Sequence, residues 1–123
     1  MDCLFCNIES ERVIASNEVA FAIKDGFPVT ASHTLVIPKR HAETYFDLTA
    51  DELLACDELL RSFAAEIKLR DPTVEGFNIG INAGAAAGQT IFHCHIHLIP
   101  RRNGDVENPR GGIRHLIPGK GYY

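Results

Sequence analysis

Apolar positions recur along this chain with two different periods, and the periods mark its elements. Residues 19–23 (Val-Ala-Phe-Ala-Ile) and 34–38 (Thr-Leu-Val-Ile-Pro) are short, mostly apolar runs that read as strands. Asp25-Gly26-Phe27-Pro28 supplies turn chemistry after the first, and Pro38 stops the second. The period then lengthens. Leu53, Cys56, Leu60, Phe63 and Ile67 follow at steps of three and four, which makes one apolar stripe on a helix. Thr49 and Glu52 fit a capping box at its start, and Asp71-Pro72 ends it. Strands are expected again at 77–82 and 91–99, separated by a loop of small residues. Leu4, Phe5 and Ile8 are spaced for a short helical turn over 4–10, and 41–45 could make another. The expected fold is α+β: an antiparallel sheet of about five strands, one long helix packed on a face, and a short N-terminal helix. Residues 1–103 form the expected domain. Residues 104–123, rich in Gly, Pro and charge, are expected to be an extended tail.

Composition narrows the classes. A chain of 123 residues with 46% hydrophobic and 23% charged residues is an ordinary globular domain with no room for a second core. The formal net charge of −4 argues against a broad nucleic-acid footprint and leaves room for a small anion held by local donors. No apolar run approaches the ~20 residues needed to cross a bilayer. The N-terminus lacks the basic start and long apolar stretch of a signal peptide, so a cytoplasmic location is the default expectation. The four cysteines do not read as a disulfide framework. Cys56 and Cys94 fit small core residues, while the Cys3/Cys6 spacing points to metal, redox chemistry or packing.

The candidate chemistry lies at 93–97. In a strand, His93, His95 and His97 would share one face and Cys94, Ile96 and Leu98 the other. Three imidazoles in register are hard to read as structural, because each buried ring needs a partner. With the small-residue loop 83–88 just before them, they point to phosphate chemistry by nucleophile, proton donor or metal ligand.

The stretch Gly88-Gln89-Thr90-Ile91-Phe92-His93-Cys94-His95-Ile96-His97-Leu98 resembles the signature of the histidine triad (HIT) family of nucleotide hydrolases and transferases. Ser32-His33-Thr34-Leu35-Val36-Ile37-Pro38-Lys39-Arg40-His41 and Cys3-Leu4-Phe5-Cys6-Asn7-Ile8 match it upstream, in the family's order. The resemblance implies His95 as nucleophile toward an α-phosphorus, forming a nucleotidyl-histidine that water hydrolyses. It implies His97 as a hydrogen-bond donor to the phosphate or leaving group, and His33 as a support for a triad histidine. Asn82, Gln89 and Thr90 match phosphate-binding positions. Asp25 matches a ribose-binding acid, and Leu4, Phe5, Ile8 and Ile23 an apolar wall around the base. The substrate implied is a purine nucleotide: a phosphoramidate, an acyl-nucleotide or a dinucleoside polyphosphate. A purine-nucleotide sensor with incidental turnover is the alternative. The loop departs from the common pattern at Ala85-Ala86-Ala87, which puts its leaving-group contacts in doubt. A homodimer is implied, with no nucleic-acid or membrane partner and no organic cofactor. A structural zinc held by Cys3, Cys6, His41 and His93 is also implied, since relatives carry a cysteine pair and two histidines at matching places. Arg110 and Arg114 in the tail could meet phosphates and tune substrate choice.

Overall fold

The computed structural model describes residues 2–123. Strands β1 (Val13–Ser16), β2 (Ala20–Lys24), β3 (Thr34–Pro38), β4 (Val74–Gly80) and β5 (Ile96–Arg102) form one antiparallel sheet in the order β1-β2-β3-β5-β4. A single long helix, α1 (Ala50–Arg70), packs on one face.

The alternation of side chains explains why β2 and β3 are apolar at nearly every position. Ala20, Ala22 and Val36 face α1, where they meet Ala55, Cys56 and Leu59. Their neighbours Phe21, Ile23, Leu35 and Ile37 point the other way, beneath Phe5. The two alanines of β2 give α1 room to lie close. Farther along the helix, Phe63 and Ile67 pack on Val74 and Leu98. Ile23 and Ile37 are completely buried, so truncating either to alanine should cost ~2–5 kcal/mol. The thiols of Cys56 and Cys94 lie in the interior, and burial pushes them up to about 12 and about 11.

The start of α1 is fixed by paired polar contacts. The Glu52 N–H donates to Thr49 Oγ1 at 3.2 Å, and the Thr49 N–H donates to Glu52 Oε1 at 2.9 Å. The buried Glu52 carboxylate also receives a two-point grip from Arg40, Nε to Oε2 at 2.9 Å and Nη2 to Oε1 at 2.8 Å. These contacts outweigh the cost of burial and hold the Glu52 carboxyl down at about 2.

Several elements differ from their sequence-based form. Strand β1 was not expected. The helical turn expected over 4–10 is a tight turn, with a 3-10 helix after it at Ser10–Arg12. The turn expected at 41–45 falls at Tyr45–Asp47, where Thr44 and Asp47 form their own capping box. The buried stripe of α1 runs through Leu59 in place of Leu60, which is half-buried with Leu53. Strand β5 begins at Ile96, not 91, because the preceding backbone is engaged elsewhere: the Cys94 N–H donates to Ala42 O at 2.7 Å. The segment expected as an extended tail carries a 3-10 helix at Gly112–Leu116. There Gly111 backs onto the Gly121 carbonyl so closely that a Cβ would collide with it, and Arg110 and Arg114 both lie over the Tyr123 ring.

Candidate active site and metal centre

Strand β5 carries the histidine run to the sheet face opposite α1. His97 sits opposite Leu35 of β3 and Gly80 of β4. His95 lies just before the strand, with the edge of Phe5 against its ring at 5.0 Å between centroids. The stretch keeps its two-residue alternation although only its second half is regular strand.

Hydrogen bonds assign the ring protons. His95 Nδ1 lies 2.9 Å from the His93 carbonyl, which can only accept. The proton is therefore on Nδ1, and the lone pair of Nε2 is free. The Val29 N–H donates to His33 Nδ1 at 3.1 Å, which leaves the proton of neutral His33 on Nε2. That nitrogen is 2.9 Å from His97 Nδ1 and 3.3 Å from Asp25 Oδ2. A bond donated to His97 Nδ1 leaves the His97 proton on Nε2. Burial lowers His97 to about 4, reinforced by His95 and His33 and opposed by Asp25. Burial lowers His33 too, against the pull of Asp25. Both rings are neutral at pH 7 and relay a fixed tautomer. Asp25, His33 and His97 also have the composition of a metal triplet. The proton on His33 Nε2 argues for a relay there and against a cation.

Beside these rings lies a cavity of about 500 Å³. Of the residues expected to bind substrate, Leu4, Phe5, Ile23, Asp25, Asn82 and Thr90 line it, together with His95 and His97. Two do not. Ile8 faces a neighbouring groove on the far side of Phe5. The buried Gln89 is a brace for the loop. Its Oε1 accepts from the Gly84 N–H, its Nε2 donates to the carbonyls of Glu43 and Ile91, and its backbone N–H is taken by Gly84 O. Gly88 adopts φ 92°, which favours glycine, and it contributes to the cavity wall without a side chain. Asp25 serves its turn as well as the cavity, since Oδ1 accepts from the Phe27 N–H at 2.8 Å. Arg12, Phe27, Leu35 and Ile91 also line the cavity and were not singled out from the sequence. Phe27 carried a usable sequence signal, an aromatic in a turn two residues after an expected ligand-binding acid, and in the structure it is 92% exposed.

His93 turns away from the cavity. Its Nε2–H donates to the Pro38 carbonyl at 2.8 Å, so the Nδ1 lone pair faces the cysteines, 3.3 Å from Cys3 Sγ and 3.5 Å from Cys6 Sγ. His41 Nδ1 lies 3.3 Å from Cys6 Sγ. The four ligand atoms are all within 4.8 Å of one another. Tetrahedral zinc with nitrogen and sulfur ligands needs separations of roughly 3.3–3.8 Å, so a small inward movement closes the set. The donor set, two thiols and two imidazoles with one ring already in the metal-binding tautomer, fits such an ion.

Known proteins are similar to this chain in sequence and fold. A zinc-bound histidine triad family protein from Mycobacterium smegmatis superposes with a TM-score of 0.78 at 38% identity, covering 85% of this chain and 78% of that one. A diadenosine triphosphate hydrolase from Plasmodium falciparum, solved with cyclomarin A, gives a TM-score of 0.71 at 29% identity, covering 82% and 68%. An adenylylsulfatase of Arabidopsis thaliana is 37% identical over 109 residues, which cover 85% of this chain and 54% of the relative. The HIT domain profile matches residues 7–104, from just after Cys6 to just past the end of β5, and the chain belongs to the HIT domain family.

Proposed function

We propose that the protein hydrolyses nucleotides at the α-phosphate through a nucleotidyl-histidine and releases a nucleoside monophosphate such as AMP. The observation that carries this reading is the bond from His95 Nδ1 to the His93 carbonyl, which leaves the Nε2 lone pair free to act as a nucleophile. In the first step that lone pair forms a bond to phosphorus as the bond to the leaving group breaks. The leaving group departs with the electron pair and takes a proton from water. His97 Nε2–H donates to a phosphate oxygen and stabilises its charge; His33 fixes the tautomer that makes this possible. Water then attacks phosphorus as the P–N bond breaks; that bond's electron pair returns to Nε2, leaving neutral His95, and the proton shed by the water neutralises the hydroxide left in the first step. In this reading Asp25 accepts from ribose hydroxyls and Leu4, Phe5 and Ile23 wall the base; that all four line the cavity supports it.

Two relatives support an adenine nucleotide, since their names specify adenylyl sulfate and diadenosine triphosphate as substrates. The structural role of zinc at Cys3, Cys6, His41 and His93 is part of the same proposal, supported by the donor set and by the zinc-bound relative. Zinc there supplies a four-point tie between the N-terminal segment and the sheet.

The test is a turnover panel of AMP-morpholidate, adenylyl sulfate, and diadenosine tri- and tetraphosphate, with AMP as the readout. Brief acid-free quenching and peptide mass spectrometry should find one adenylyl group on the peptide bearing His95. Tight nucleotide binding with no AMP from any substrate would replace the hydrolase by a sensor.

A further inference from the structure

The candidate metal centre and the candidate nucleophile share two physical links. The first runs through the N-terminus. Cys3 and Cys6 bracket Leu4 and Phe5, both of which line the nucleotide cavity. Phe5 is buried, sits over Phe21, Ile23, Leu35 and Ile37, and meets both His93 and His95 edge-on. This segment belongs to no helix or strand, and the Asn7 N–H to Leu4 O bond of 3.2 Å closes a local turn. Beyond this packing, the thiols on either side of Phe5 reach His93 and His41, so a metal there would add a second tie between the segment and the sheet.

The second link is residue 93. Its side chain belongs to the metal centre, and its backbone carbonyl is the acceptor that sets the His95 tautomer. Its far ring nitrogen is tied to β3 through Pro38 O. A ligand on Nδ1 would leave the ring, and with it the peptide that carries the carbonyl, one position.

We propose that this centre is a positioning device for the reaction: zinc bound there fixes the His95 tautomer through His93 and closes the cavity wall through Phe5. Metal and nucleotide therefore bind with positive coupling, and His93 and Phe5 are positioning residues. The inference rests on the zinc and nucleotide readings above and adds an energetic connection between them. Linkage makes that connection reciprocal: AMP must tighten zinc by the same factor that zinc tightens AMP.

The test uses the full chain without an N-terminal tag. Zinc affinity is measured by competition with a chromophoric chelator, with and without saturating AMP. A coupling factor of about five or more is expected. Nitrogen-15 NMR of the free protein should show His95 in one tautomer, protonated at Nδ1, with zinc, and an average of two tautomers after chelation. His41 lines neither cavity wall nor nucleophile, so His41→Ala should weaken zinc and loosen His95, whereas His41→Cys keeps four donors and should restore both. If the metal-free chain unfolds, cobalt replaces zinc in the intact protein, and adding AMP should shift the cobalt–thiolate absorption. A coupling factor of one, an unchanged His95 tautomer in folded metal-free protein, or a cobalt spectrum blind to AMP overturns the proposal. Coupling without AMP release would leave it standing and remove the hydrolase. AMP release with a coupling factor of one would do the reverse.

Discussion

At the scale of single residues, the site works by placing protons. His95→Asn keeps the size of the side chain and removes the proposed nucleophile. Turnover should fall by at least about a thousandfold, with AMP affinity within a few-fold of wild type by calorimetry. Retention of a tenth of the activity would assign the nucleophile elsewhere. The low value of His97 has a thermodynamic counterpart. Its folded-state value of about 4 lies below the ordinary 6.5, so the unfolded chain takes up this proton first as pH falls. The contribution is complete above pH 6.5, declines between 6.5 and 4, and levels off below. Urea midpoints measured across that window should drop in wild type, and the drop should shrink in His97→Asn.

Among the elements, α1 carries the clearest expectation. Thr49→Ala removes one cap bond and should cost ~1 kcal/mol. Glu52→Gln should cost more, because it strips the charge from a buried partner of Arg40 and weakens the Thr49 bond together. The depressed Glu52 value places this stability above pH 4.5 and removes it as pH falls toward 2, a lower window than that of His97. The same helix shows what a sequence reveals. Its cap, length and stop follow from local chemistry that Thr49, Glu52 and Asp71-Pro72 carry on their own. Its inward stripe does not, because Leu59 and Leu60 are equally apolar and both reach the same cluster, so only the packing of helix on sheet shows which one is fully buried. β1 escaped for a related reason: Val13–Ser16 is four residues long, and its half-buried pattern gains meaning only from pairing with β2. The histidines stood out by spacing, and the proximity of His33 to His97 follows once β3 and β5 pair. The brace role of Gln89 could not be read, since its partners are backbone groups, the carbonyls of Glu43 and Ile91 and the N–H of Gly84, that only the fold brings to it.

For the whole molecule, β4 is an edge strand with Ile79 about half exposed, an arrangement suited to pairing with a second copy. Sedimentation at micromolar concentration should report twice the 13.6 kDa chain mass. Deleting residues 104–123 should change the ranking of substrates in the turnover panel if Arg110 and Arg114 reach phosphate; an unchanged ranking assigns the tail no part in choice. The four cysteines divide the molecule in a different way. With chelator present, Cys3 and Cys6 are reachable by an alkylating reagent, whereas Cys56 and Cys94 are buried in the interior with their thiols held protonated. Two thiols should react within minutes. The other two can react only when the helix lifts from the sheet, so their labelling rate is a built-in clock for the opening of the core, readable by mass without any engineered probe.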